Sequence, residues 1–119
     1  MTDGLTLYLP FPPSVNNLFP SGKTGKRFPS AQYKAWQAHA RYALHNQRFA
    51  IVPGRVEVHY AFARPDNRRR DVGNYEKAVS DFLVEQGVIE DDSLIQRMRL
   101  EWDETKPTWG TKLFITPFA

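Results

Sequence analysis

The chain of 119 residues contains no cysteine. That excludes disulfides, thiolate zinc sites and cysteine nucleophiles together. Long apolar runs are also missing, and none approaches the ~20 residues that cross a bilayer. Met1 to Leu9 lacks the basic-then-apolar pattern of an export signal, so the expectation is a cytoplasmic protein with no membrane partner. His39, His45 and His59 have no metal-ligand spacing, and no motif suggests an organic cofactor. Repeats and linker-like stretches are absent too, which leaves one domain over residues 1–119. What is present is charge, unevenly spread. The net charge is only +3, yet Arg64, Arg68, Arg69 and Arg70 crowd together, as do Lys23, Lys26 and Arg27.

The order of elements reads as a small α+β domain with a mixed sheet and two main helices. Leu5, Leu7 and Leu9 alternate with Thr6 and Tyr8 as a short strand, which Pro10 and the following prolines end. A loop rich in Pro, Asn, Gly and Lys runs from 10 to 29, and loops of that length are usually functional. Ser30 caps a helix to about Asn46 whose apolar side holds Tyr33, Trp36, Ala40, Ala43 and Leu44. Val56, Val58, Tyr60 and Phe62 mark a second strand. Asp71 is placed to cap a second helix reaching about Gln86, with Gly87 as its stop. Leu94 to Trp102 and Lys112 to Thr116 then read as two further strands.

The segment Arg68-Arg69-Arg70-Asp71-Val72-Gly73-Asn74-Tyr75-Glu76-Lys77, answered by Glu90-Asp91-Asp92, carries the chemistry. Arginines can neutralise a phosphodiester backbone, and carboxylates can hold a hard divalent cation. The bland alternatives are a helix cap at Asp71, turn acids at Asp91 and Asp92, and a solvated lysine at Lys77. Lys77 shares a helical side with Asn74 and Asp81, within reach of a scissile phosphate. The loop supplies Asn16, Asn17, Phe19, Lys23, Lys26, Arg27 and Phe28, a basic stretch with interleaved aromatics suited to a DNA-contacting flap. Phe19 could wedge between bases there, or simply pack on the domain. Pro65-Asp66 with Glu104-Thr105-Lys106 imitates a restriction-type nuclease pattern, but Pro107 marks that segment as a turn rather than a strand.

These motifs, with Pro12-Pro13-Ser14-Val15-Asn16-Asn17 and the downstream Gly87-Val88-Ile89-Glu90-Asp91-Asp92, resemble the RusA family of Holliday junction resolvases from bacteria and their prophages. The resemblance spans Leu5 to Thr116. It implies a homodimeric, Mg2+-dependent endonuclease that makes paired nicks in a four-way DNA junction during recombination and repair. Carried over residue by residue, it implies catalytic roles for Asp71, Asp92 and Lys77, with Asp71, Asp91 and Asp92 on the metal. Arg68, Arg69, Arg70, Asn74 and the loop residues named above then contact DNA.

One position departs from the pattern. The family motif reads Arg-Asp-x-Asp-Asn, and its second aspartate falls on Gly73. Either Asp71, Asp91 and Asp92 suffice for the metal, with or without Asn74, or the chain binds junctions with impaired or no cleavage, or residue 73 has been altered from the natural one. An RNA-binding domain is a third reading, although the base-stacking strand motif of common RNA modules is missing. A helix over 72–86 would be about 21 Å long. Asp71 and Asp92 would then meet only if segment 87–92 doubles back or if a dimer unites them.

Overall fold

Every second side chain from Val56 to Phe62 is withdrawn completely from solvent. That strand, β2 (Val56–Ala63), is the centre of the molecule, seen in a computed structural model that describes residues 4–20 and 28–119. Around it lie β1 (Leu5–Leu9), α1 (Ala31–His45), α2 (Glu76–Glu85), β3 (Ile95–Asp103) and β4 (Thr111–Pro117). The four strands form one mixed sheet in the order β1-β4-β2-β3. β4 pairs antiparallel with both β1 and β2, whereas β3 runs parallel to β2. A parallel neighbour needs a crossover, and α2 supplies it. The α+β expectation holds.

One face of the sheet is the core. Leu7 and Leu9, the four apolar residues of β2, and Leu113 and Ile115 meet Tyr33, Trp36, Ala40 and Leu44 of α1 and Ala78, Val79, Phe82 and Leu83 of α2. The Trp36 and Phe82 rings touch edge to face at 5.4 Å, which locks the two helices to each other. The opposite face carries polar pairs between β2 and β3: His59 with Glu101, and Glu57 with Arg97 at 3.2 Å. The Gln47 side-chain amide hydrogen-bonds the backbone N–H (2.8 Å) and carbonyl (2.6 Å) of Tyr8, covering the β1 edge.

Ser30 caps α1 as its sequence indicates, accepting the Tyr33 N–H at 3.0 Å. Its hydroxyl also donates to the Asn17 carbonyl at 2.6 Å, and its N–H to Leu18 at 2.8 Å. This pins Asn17 and Leu18, midway along the connection from β1, to the start of α1. Ser30→Ala is therefore expected to lower stability by about 1–2 kcal/mol, read from the urea midpoint at unchanged m-value.

The second helix starts later than its sequence suggests. Asp71 does not cap it: the Asp71 side chain makes no capping hydrogen bond, and Val72–Asn74 is a separate 3-10 turn. α2 begins at Glu76 and is only about 15 Å long by helical rise. The turn closes through the Asn74 N–H on the Asp71 carbonyl at 3.0 Å. Gly87 ends α2 as anticipated, with φ at +73°, where a side chain would be strained. The Val88 N–H then bonds the Leu83 carbonyl at 2.9 Å and turns the chain back along the helix.

Candidate active site and nucleic-acid interface

After β2 the chain makes a compact turn organised by one acid. Asp66 accepts the Arg68 N–H at 3.0 Å and grips the Arg70 guanidinium with both oxygens, at 3.2 and 2.7 Å. Arg70 donates once more, to the Tyr75 hydroxyl at 3.0 Å. Tyr75 is itself buried against Phe11, Phe62 and Trp102. The turn is thus bolted to the core through a single guanidinium. These hydrogen bonds hold the Asp66 carboxyl below the usual carboxylate range and push the Arg70 guanidinium up. Arg64 is engaged as well, bonding Glu104 at 3.0 Å and lying over the Trp102 ring at 4.6 Å.

The side chains of Arg68 and Arg69 hold no contact ion pair among the described residues. Both face an open hollow of about 360 Å³ that also takes in Asn16, Arg70, Asp71 and Asn74. Six of the expected site residues therefore share one concavity. The Asp71 carboxylate is exposed and has no hydrogen-bond partner among the described residues, so its placement is not explained by a structural bond.

The second acidic cluster divides in two. Asp91 acts as a cap, accepting the Ser93 N–H at 3.0 Å and the Ser93 hydroxyl, and these bonds lower its pKa. Asp92 is exposed and makes no such bond. Its charge reaches Lys77, whose ammonium bonds Asp81 at 3.0 Å. The Asp81 hydrogen bond, with smaller contributions from the charges of Asp81, Asp92 and Glu76, raises the lysine's pKa. Segment 87–92 thus returns close enough to α2 for the charge of Asp92 to act on Lys77. Glu76, by contrast, is used internally: it accepts the Ser80 hydroxyl at 2.5 Å, which pairs with buried Tyr60 at 2.6 Å.

Among the described residues no three carboxylate or imidazole side chains converge as a metal cage. The available acids nonetheless suit a hard cation. Magnesium is commonly held by one or two carboxylates, with water and substrate phosphate completing its shell. Among the described residues, Asp71 and Asp92 are the two acids of the motif whose carboxylate oxygens have no partner.

The remaining loop residues fall differently. Asn17 lines an adjoining slot and donates to the Ser14 hydroxyl at 3.3 Å. Phe19 is half-buried edge-on against Tyr33 at 5.6 Å, the packing alternative to a base wedge. Lys23, Lys26 and Arg27 lie outside the described residues. In the restriction-type imitation, Asp66 and Glu104 are each neutralised by an arginine, and Glu104 to Lys106 follow β3 as a turn. Asp66 and Asp81 are site-organising acids that the motif alone did not single out. Their spacing of four residues from Arg70 and from Lys77 was the available signal.

Comparison with known proteins identifies the family. Residues 10–116 match the family described as Endodeoxyribonuclease RusA. Proteins named crossover junction endodeoxyribonuclease RusA are similar over most of their length. The Aquifex aeolicus protein is 30% identical over 111 residues, covering 92% of this chain and 86% of its own. The Escherichia coli K12 protein is 32% identical over 100 residues, covering 80% and 79%. The protein from E. coli O139:H28 is 32% identical over 116 residues, covering 93% and 91%. This chain belongs to the RusA endodeoxyribonuclease family.

Proposed function

We propose that the protein is a magnesium-dependent endonuclease that resolves four-way DNA junctions by paired phosphodiester hydrolysis, acting as a homodimer in the cytoplasm. The observation that carries this is the hollow where two unpaired arginines, Arg68 and Arg69, stand beside the uncapped carboxylate of Asp71. Family membership gives that hollow its substrate class.

Arg68 and Arg69 bind backbone phosphates, with Arg70 held ready by Asp66 and Tyr75. Asn16 and Asn74 offer neutral hydrogen bonds at the rim. Asp71 and Asp92 would hold the cation, with Asp91 fixing the turn that presents Asp92. When bound, magnesium lowers the pKa of a water and stabilises charge on the phosphoryl oxygens. Lys77, kept cationic by its acidic neighbours, is suited to contact phosphate rather than to remove a proton. Two subunits provide two such sites, as opposed nicks on a symmetric junction require.

A second reading is favoured by Gly73 and by the absence of a three-acid cluster among the described residues. On that reading the chain grips junctions but cuts them slowly or not at all. Labelled four-way junction and matched duplex, each with magnesium or with chelator, separate the two. Paired magnesium-dependent nicks in the junction alone support the resolvase. Tight junction binding without nicks supports the binder.

The cationic turn makes a prediction of unusual sign. Removing an acid beside a polyanion ordinarily tightens binding, because repulsion falls. Asp66 instead holds Arg70 and the Arg68 backbone in place, so Asp66→Ala is expected to weaken junction binding by about tenfold. Asp66→Asn keeps an acceptor for the Arg68 N–H and should lose less. Unchanged or tighter binding by Asp66→Ala in a gel-shift titration would show that the turn needs no such brace.

A further inference from the structure

Beside the basic hollow lies a second concavity of about 270 Å³, sharing Ser14, Arg70 and Tyr75 with it. We infer that this slot receives one unstacked nucleobase of the junction while the adjoining arginines hold its phosphate. The inference rests on the resolvase reading and adds where, and by which residues, a base is held.

The walls are apolar and rigid: Phe11, Pro12, Pro13, Trp36 and Pro65. Their position is set by the backbone behind them. The Pro10 carbonyl accepts the Trp36 indole N–H at 3.0 Å and the Thr111 hydroxyl at 3.2 Å. Gly110 lets this segment pass close to β4, since a Cβ there would stand 2.3 Å from the Phe11 nitrogen. The slot is therefore preformed, which spares a ligand the cost of ordering it.

Its polar equipment is neutral apart from Arg70. Ser14, Asn17 and Gln32 line it, and among the described residues no carboxylate does. Gln32 is exposed in the first turn of α1, one turn from Trp36 on the same face. Its amide has no partner among the described residues and offers a donor and an acceptor side by side, the pair that reads a base edge. An apolar slot with the free Gln32 amide at its edge suits a planar heteroaromatic ring. Continuity with Arg68 and Arg69 identifies that ring as part of a nucleotide rather than of a free small molecule.

The slot also offers a source of junction selectivity. Extruding a base from intact duplex costs a few kcal/mol, and least where pairing or stacking is already interrupted. A crossover is such a place, so the same pocket disfavours linear DNA without touching its arms.

The test places 2-aminopurine, which brightens on unstacking, at single positions around the crossover, with chelator present to prevent cleavage. Wild-type protein is expected to brighten one position in each of two opposed strands by about threefold or more. Gln32→Trp, which fills the slot from an exposed site, should abolish that rise. In magnesium, junctions differing only at the bright position should be cut at rates spread over about tenfold, a spread that Gln32→Ala narrows. Junction binding with no bright position, or a base preference untouched by Gln32→Ala, overturns the slot alone. Failure of wild-type protein to bind the junction overturns the resolvase reading and the slot with it.

Discussion

Asp71→Asn and Asp92→Asn should each reduce junction cleavage at least about a hundredfold while leaving junction binding as tight as wild type or tighter. The size follows from the proposed role: even groups outside a metal's direct shell change activity by about 10–100-fold when lost, and on the proposed mechanism these two acids bind the ion directly. The sign of the binding effect follows from charge, because each substitution removes one negative charge from a surface facing a polyanion. Neither carboxylate braces the fold, since Asp71 caps no helix and the Asp92 carboxylate accepts no hydrogen bond among the described residues. Unfolding midpoints should therefore stay close to wild type. Asp91→Asn is the informative contrast, because Asp91 accepts from Ser93 and its loss should disturb the turn as well as the chemistry. Loss of binding together with stability in Asp71→Asn would return that residue to a structural role.

The same contrasts show what was legible in the chain. Alternation over Leu5–Leu9 and Val56–Ala63 places both strands because one face of each packs into the core. The start of α2 was not legible, since Asp71 before an apolar arc looks identical whether an α-helix or a 3-10 turn follows. The charge run announced the interface, yet it could not say which arginines are free. Arg70 is spoken for by an acid four residues earlier, and Arg64 by one forty residues later. The first is a local spacing that can be read; the second needs the β2–β3 pairing before it exists. Gln47 on the β1 edge and Gln32 in the slot are likewise products of tertiary placement, for nothing in their local sequence distinguishes them from solvated glutamines.

Gly73→Asp is expected to lower the magnesium concentration for half-maximal cleavage about tenfold or more, and to raise the rate at limiting metal. Position 73 lies in the 3-10 turn opened by Asp71, and a Cβ added there meets nothing within 4 Å. Its φ is not in the left-handed region, so the backbone makes no demand for glycine. A carboxylate at this point also sits just ahead of α2, where the helix dipole favours negative charge by about 0.3–1 kcal/mol. The variant should thus fold at least as well as the parent chain. A third acid next to Asp71 raises the local negative charge, and a hard divalent ion responds to the number of charged oxygens it can reach. Without metal the same charge opposes DNA, so junction binding in chelator should weaken. Metal titrations of cleavage and chelator gel shifts on one preparation measure both effects. If the metal requirement and the rate are unchanged while chelator binding weakens, position 73 faces the DNA but not the ion, and two acids per site are all this protein uses.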